Sequence, residues 1–254
     1  MENIEACIKK SIKKGYDLNL AFHSYFDEFT DTIREYLLTI SVALELLEWN
    51  EEHKYKIFVE YPLRQFYENA FPPFSFEGNT IFNQHIVSRE YKYDNSKSKE
   101  KIDIVITEED SNSYPLIDRS LVGIELKGIN QTELLIIEDI ERLSKAISNV
   151  DSISNNSIVL GFVIFIRKFD KYNDIVHEHN VESYLSAEEQ KWNTTFCSLN
   201  EKYPTLNFEL QNFDICTHTY ESRKKCFEDN CDVCEVQNAT GCIYGYLIKI
   251  LRKE

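Results

Sequence analysis

The chain has 254 residues, of which 43% are hydrophobic, with 7 Gly and 5 Pro. A full core can be buried, which argues against a disordered or fibrous protein and allows one large domain or one domain with a small appendage. The formal net charge of −15 makes the isolated chain a poor non-specific DNA binder, although the field at one cleft depends on the groups nearest to it.

The first residues, MENIEACIKKSIKKGYDLNL, contain no continuous apolar stretch of the kind found in a secretory signal. Nowhere does an apolar run approach the roughly 18 residues that a membrane-spanning helix needs. We therefore expect a soluble, cytoplasmic protein with no membrane partner, whose 7 cysteines are mostly reduced thiols. The acidic net charge also leads us to expect a protein partner or a homo-oligomer.

The predicted elements begin with one or two short helices in residues 1–30. The sequence TIREYLLTISVALELLEWN predicts a helix from Thr32, with Asp31 as its N-cap. Its apolar residues have the spacing of one buried stripe: Ile33, Leu37, Ile40, Leu44 and Leu47. YKIFVEYP predicts a strand that Pro62 ends. An irregular segment then runs to about Asn83, and HIVSREYKY predicts another strand.

The next two predicted strands are KIDIVITEED and LVGIELKGI, and their short connection makes them an antiparallel pair. TELLIIEDIERLSKAISNV predicts a helix with one apolar face: Ile136, Ile140, Leu143 and Ile147. SIVLGFVIFIRK is a nearly continuous apolar run, which is typical of a central strand buried on both sides. Residues 181–200 predict an amphipathic helix, and FELQNFDICTHTY and CIYGYLIKIL predict a last strand pair.

This order of elements predicts an α/β fold, a mixed central β-sheet flanked by helices. The C-terminal strand pair would carry a Cys-rich loop over residues 216–242. We divide the chain into an N-terminal helical segment, 1–30, a core, 31–180, and a C-terminal extension of the same domain, 181–254. No internal repeat is visible.

Three charged residues occur in the two strands that the sequence predicts to be neighbours. Asp103 lies inside the apolar run KIDIVI, where a carboxylate is costly unless something pairs with it. Glu125 and Lys127 lie two apart in GIELKG and therefore project from the same face of a strand, with Leu126 pointing the other way. Two carboxylates and an ammonium would then converge at one end of the sheet.

That grouping suits a divalent cation. Two carboxylates, waters and phosphate oxygens are ligands for Mg²⁺ (or Mn²⁺), which activates a water and neutralises charge on a scissile phosphate. Lys127 would supply a compact positive charge to the transition state. The alternative interpretation is that all three are charges at the rim of the sheet, with Glu125 and Lys127 forming a same-face pair.

The segments REYLLTISVALELLE, KIDIVI, GIELKG, EDIERLSKAI and SIVLGFVIFI resemble, in this order, the PD-(D/E)XK nuclease superfamily over residues 31–167. The resemblance implies a restriction endonuclease-like core in which Asp103 and Glu125 bind Mg²⁺ and Lys127 assists catalysis. It also makes a role in restriction or anti-phage defence plausible. Ile102 stands where the superfamily's name motif has Pro.

Many members of this superfamily add an acidic residue from the first core helix. The candidates here are Glu35, Glu45 and Glu48, and we favour Glu35, which begins the EYLLT turn. A solvated helix glutamate is the alternative interpretation.

Three further residues are weaker candidates. Glu60, in VEYP, would point into the cleft, and Gln131 would contact phosphate or a metal-bound water unless it is an ordinary loop residue. Arg142 would either contact the DNA backbone or pair with Glu138.

Four cysteines near the C-terminus have the spacing C-x4-C-x2-C-x7-C: Cys226, Cys231, Cys234 and Cys242. Four thiolates can close a tetrahedral Zn²⁺ site, and a two-residue gap is common in such sites. Cys216 and His218 are additional possible ligands. An iron–sulfur cluster and ordinary reduced thiols are the alternatives.

The leading functional hypothesis is a Mg²⁺-dependent nuclease that hydrolyses phosphodiester bonds, with DNA as the expected substrate. The alternative is a catalytically inactive subunit that keeps the nuclease fold and binds a protein partner through its acidic surface. A zinc-stabilised nucleic-acid-binding module is a third hypothesis, which the acidic charge disfavours. The sequence contains no Gly-rich phosphate-binding motif.

Overall fold

The computed structural model describes residues 3–25, 35–70, 74–76, 79–81, 100–110, 117–149, 156–169, 177–216 and 242–253. The predicted N-cap Asp31, the start of the second helix at Thr32 and the predicted strand HIVSREYKY lie outside these residues.

Five helices and eight strands are formed by the described residues. The helices are α1 (Ile4–Tyr25), α2 (Glu35–Trp49), α3 (Leu63–Glu68), α4 (Glu133–Ser148) and α5 (His177–Lys202). The strands are β1 (Tyr55–Pro62), β2 (Phe74–Phe76), β3 (Asn79–Ile81), β4 (Lys101–Asp110), β5 (Ile117–Ile129), β6 (Leu160–Phe169), β7 (Leu206–Cys216) and β8 (Cys242–Arg252).

Six of the strands form one mixed sheet in the order β1-β4-β5-β6-β8-β7. Only β5 and β6 pair in parallel, joined by the crossover through α4, and the other neighbours are antiparallel. The predicted α/β layering, the antiparallel β4–β5 pair and the final strand pair are therefore confirmed. Among the described residues there is no disulfide, and Cys7 and Cys197 are free thiols.

Helices cover both faces of the sheet, and each face has its own apolar core. One core contains α1 and α2 side chains packed on Ile104, Ile124 and Leu126. The other contains α3, α4 and α5 side chains packed on Val105 and Phe165. The strand β6 is a nearly continuous apolar run because it is buried on both faces of the sheet, as predicted.

The helix α4 follows its sequence pattern closely. All four residues of the predicted apolar face, Ile136, Ile140, Leu143 and Ile147, are fully buried. The close approach of α4 to β5 depends on Gly123, because a Cβ atom there would lie 2.7 Å from Cδ2 of Leu143. The backbone of β5 can therefore lie directly against this helix.

The predicted buried stripe of α2 is wrong. Leu44 and Leu47 are 58% and 52% exposed, whereas Leu38, Val42 and Leu46 are fully buried against α1 and the sheet. The reason is that α2 is apolar on more than one side, so its spacing does not single out the face that packs.

Two further sequence predictions need correction. The N-terminal segment forms one helix of 22 residues rather than one or two short ones. The segment after Pro62, predicted to be irregular, begins with the short helix α3.

Within the part of the chain that the structure describes, no helix combines the length and apolar character needed to span a membrane.

Candidate active site

The register of β4 and β5 brings Asp103 next to the Glu-x-Lys segment. The pairs Ile104–Ile124 and Val105–Gly123 fix this register, and continuing it by one residue puts Asp103 opposite Glu125. The ladder ends there, and Oδ2 of Asp103 instead accepts a hydrogen bond of 2.7 Å from the backbone N–H of Leu126. The carboxylate is thereby attached to the neighbouring strand.

Glu125 and Lys127 project from β5 towards α4, while Leu126 enters the opposite core. Arg142 Nη1 lies 2.6 Å from Oε1 of Glu125 and 3.0 Å from Oδ1 of Asp139. Lys127 Nζ lies 2.8 Å from the other oxygen of Asp139. One network of ion pairs therefore joins the Glu-x-Lys strand to the following helix.

The first turn of α2 brings a further carboxylate to the same place. Oε1 of Glu35 lies 3.7 Å from Lys127 Nζ, and the backbone N–H of Gly128 donates a hydrogen bond to the Glu35 carboxylate. The other two candidates from this helix lie elsewhere. Glu45 pairs with lysines of α1, and Glu48 is exposed.

We call these six residues the site cluster: Glu35, Asp103, Glu125, Lys127, Asp139 and Arg142. It contains all four residues that the sequence nominated for catalysis. With every group ionised, it has four carboxylates and two cations, so two negative charges are left unbalanced.

All four acids of the site cluster have raised pKa values, chiefly because they are buried. Burial raises the pKa of Glu125 well above its usual value, and the charges of Asp139 and Asp103 add to the effect. Burial likewise raises the pKa of Glu35, Asp103 and Asp139. Burial acts in the opposite sense on Lys127, but its neighbours Asp139 and Glu35 outweigh it, so the pKa of this ammonium is raised and it stays charged.

Two more acids lie at the rim of the site cluster. Glu60 occupies the place in β1 opposite Asp103, where the pairing skips a residue, and has a positive φ of 56°. A non-glycine residue in this region is strained, and such strain is concentrated at functional sites. Its carboxylate pairs with Lys101 at 2.8 Å, and Glu100 lies 3.8 Å from Nε of Arg142.

The donor set suits a hard divalent cation. Glu35, Asp103 and Glu125 offer only oxygen ligands, which Mg²⁺ and Mn²⁺ prefer, and the cluster has an excess of two negative charges. Among the described residues, however, no three His, Cys, Asp or Glu side chains are already arranged around a common point as metal ligands. One oxygen of Glu125 is engaged by Arg142 instead.

Asp139 is the member of the site cluster that sequence reasoning missed. Its signal was available: it follows Ile136 by three residues and precedes Leu143 by four, so it lies on the apolar face of α4. It is 2% exposed, and a buried carboxylate in such a stripe requires charged partners. The sequence suggests Glu138 or DNA as the partner of Arg142, whereas the structure pairs Arg142 with Glu125 and Asp139.

The remaining predictions have separate outcomes. The backbone carbonyl of Gln131 accepts a hydrogen bond of 2.6 Å from Arg167, which anchors the turn before α4 to β6.

Three of the four cysteines of the predicted Zn²⁺ site lie outside the described residues: Cys226, Cys231 and Cys234. The side chain of Cys242, at the start of β8, lies outside them too. The Zn²⁺ site therefore stays a prediction.

The described residues define an α/β protein with a six-strand mixed sheet and a buried charged cluster on its central strands. Comparison with the models of known protein families gave no match, and the curated proteins and the solved structures gave none either.

Proposed function

We propose that the chain is a metal-dependent nuclease with a restriction endonuclease-like core, acting on phosphodiester bonds in DNA. The observation that carries the proposal is the site cluster, in which four acids outnumber two cations and every acid has a raised pKa. Grouped carboxylates with raised pKa values are typical of functional sites. A divalent cation would remove the imbalance.

Asp103 and Glu125 are the residues that would hold Mg²⁺ or Mn²⁺, with waters and phosphate oxygens as the other ligands, and Glu35 is an acid beside them that contacts Lys127. When bound, the cation supplies a nucleophilic water at neutral pH and neutralises charge on the phosphate. The hydrogen bond from Leu126 N–H orients Asp103 before any ligand arrives. Such preorganisation is what a transition-state site requires.

Lys127 has a different role from the acids. Asp139, at 2.8 Å, and Glu35, at 3.7 Å, both contact its ammonium and keep it protonated. A fixed positive charge beside the two metal-binding acids can donate a hydrogen bond to a phosphate oxygen as negative charge builds up on it. Asp139 acts through Lys127 and is a positioning residue.

The order of elements also supports the proposal. Glu35 begins a helix, Asp103 and the Glu-x-Lys segment follow on antiparallel strands, and α4 then leads to the parallel strand β6. This is the order that the PD-(D/E)XK resemblance implies over residues 31–167. The same resemblance extends the proposal to restriction or anti-phage defence.

An inactive nuclease-fold subunit is the second candidate, and one observation favours it. Tyr36, Leu44 and Leu47 expose 64%, 58% and 52% of their surface on α2, and the chain carries a formal charge of −15. Exposed apolar side chains on one helix are typical of contact surfaces. This candidate requires no metal.

Cleavage assays with Mn²⁺ or Mg²⁺ separate the two candidates. Plasmid DNA, single-stranded DNA and RNA are incubated with the wild type and with Asp103→Asn, which keeps the size of the side chain. We expect metal-dependent cleavage by the wild type and a loss of about 10²-fold or more in the variant. Equal inertness of both proteins on all three substrates would contradict the nuclease proposal.

A further inference from the structure

Arg142 occupies an unusual position for a residue beside a metal site. Its guanidinium lies against Glu125 and Asp139, whose side chains are 2% and 3% exposed, and its Nε faces Glu100 at 3.8 Å. The Arg142 side chain itself is 22% exposed. It is thus a partly exposed cation at the edge of the cluster.

The contact with Glu125 competes with metal binding. Nη1 of Arg142 is 2.6 Å from Oε1 of Glu125, the distance of a short charge-assisted hydrogen bond. A divalent cation on the same carboxylate would lie beside a fixed positive charge and repel it. The guanidinium and the metal therefore compete for the carboxylate of Glu125.

Of the two cations in the cluster, Arg142 is the more exposed, and it is the one that contacts Glu125. Lys127 is held between Asp139 and Glu35 and has a side chain that is 15% exposed. Arg142 is more exposed and already has an outer acid, Glu100, which is 30% exposed at the rim. A small outward movement of its side chain would release Glu125.

If a substrate phosphate binds the cation that Glu125 holds, a released guanidinium would lie close to that phosphate. Arginine binds phosphate oxygens through two parallel N–H groups, so it is suited to this contact. We propose that Arg142 stands in for the divalent cation at Glu125 in the metal-free protein and transfers to a substrate phosphate when the metal binds. The inference rests on the proposed function and adds a coupling of metal and nucleic-acid binding.

Isothermal titration of Mn²⁺ tests the first half of the proposal. We expect Arg142→Gln to bind Mn²⁺ about tenfold more tightly than the wild type, within the usual range of coupling between two ligands. Arg64→Gln is the matched control, because it removes the same positive charge from an arginine that pairs with Glu68 on the surface of α3. Its Mn²⁺ affinity should equal that of the wild type.

The second half is tested by repeating the titration with a phosphorothioate DNA duplex, which resists cleavage. The duplex should tighten Mn²⁺ binding about fivefold or more in the wild type and in Arg64→Gln, and clearly less in Arg142→Gln, where only the direct contact of phosphate with the metal remains; an equal gain in Arg142→Gln would overturn the transfer. Absence of this gain in the wild type would overturn the transfer to phosphate.

Arg142→Lys covers the case in which the glutamine variant does not fold. Lysine keeps the charge, but its side chain is shorter and lacks the forked N–H groups of a guanidinium, so this variant should bind Mn²⁺ severalfold more tightly than the wild type and lose most of the gain with DNA. Wild-type affinity in both Arg142 variants would overturn the inference and leave the nuclease proposal standing. If neither the wild type nor the variants bind Mn²⁺, the nuclease proposal itself fails.

Discussion

Two buried charged clusters of this fold differ in their balance. The site cluster has an excess of acids, and the pKa of each acid is raised. The second cluster joins β6 to α5, where Glu188 accepts hydrogen bonds of 3.0 Å from both Arg167 and Trp192 and lies 3.5 Å from Lys191. Burial acts to raise the pKa of Glu188, but these partners outweigh it and the pKa is lowered.

The difference separates charges that stabilise the fold from charges that reduce its stability. At Glu188 the ionised form is the one that folding favours, because its donors are already in place. In the site cluster folding favours the neutral acids, so keeping them charged costs free energy. Proteins accept such costs mainly at sites that act on a ligand.

Glu125→Gln gives the largest expected effect. Because the pKa of Glu125 is raised by burial and by neighbouring acids, removing its charge relieves repulsion, and stability should rise by about 1 kcal/mol. Nuclease activity should fall about 10³-fold, since a metal-binding oxygen loses its charge. Urea unfolding and single-turnover cleavage of the same preparation measure both. A stability loss of about 3 kcal/mol would show that Glu125 belongs with the stabilising charges.

Glu188→Gln should act in the opposite way. Removing this charge leaves Arg167 buried without its carboxylate, which costs about 3 kcal/mol of unfolding free energy, while cleavage per folded molecule stays unchanged. The neighbouring Glu189→Gln is the matched control, because Glu189 contacts Asn212 on the surface and should matter by less than about 0.5 kcal/mol.

The pH dependence of the stability tests whether Glu188 is a stabilising charge. A lowered folded-state pKa means that Glu188 contributes stability above its ordinary value of 4.5 and loses it as the pH falls through the lowered value. The stability difference between the wild type and Glu188→Gln should therefore shrink from about pH 6 to about pH 3. A difference that grew on acidification would contradict the assignment.

Sequence patterns predicted the sheet better than the helices around it. The apolar run of β6 and the period of α4 reflect burial directly, so both were read correctly. In α2 the pattern failed, because apolar residues such as Leu44 occur on the face that is exposed as well as on the packed face. Which face packs depends on α1, and no local spacing encodes that contact.

The candidate site was predictable to the extent that it lies on two adjacent strands. Period-two alternation places Glu125 and Lys127 together, and an acid in an apolar strand marks Asp103. The pairing of Arg142 with Glu125 was not predictable, because it depends on how closely α4 lies against β5. That distance is set in three dimensions by Gly123, whose role no pattern in the sequence reveals.

Gly123→Ala tests whether this close approach serves the site. The added Cβ would lie 2.7 Å from Cδ2 of Leu143 and 2.9 Å from Cζ of Phe66, so these side chains must shift and the packing of β5 against α4, the helix of Asp139 and Arg142, is disturbed. We expect a stability loss of about 2 kcal/mol from overpacking. The turnover rate should fall about tenfold, because a small misplacement of positioned groups slows a reaction.

Gly245→Ala is the comparison that isolates the geometric effect. Its Cβ would lie 2.2 Å from the ring of Phe213, which again forces a shift, but on β7 and β8 rather than at α4. A similar loss of stability is expected with an unchanged turnover rate at a temperature where both variants are folded. If both glycine variants lost turnover in proportion to stability, the distance between α4 and β5 would matter only for folding. A selective loss in Gly123→Ala would tie that distance to the charged network of Glu125, Asp139 and Arg142.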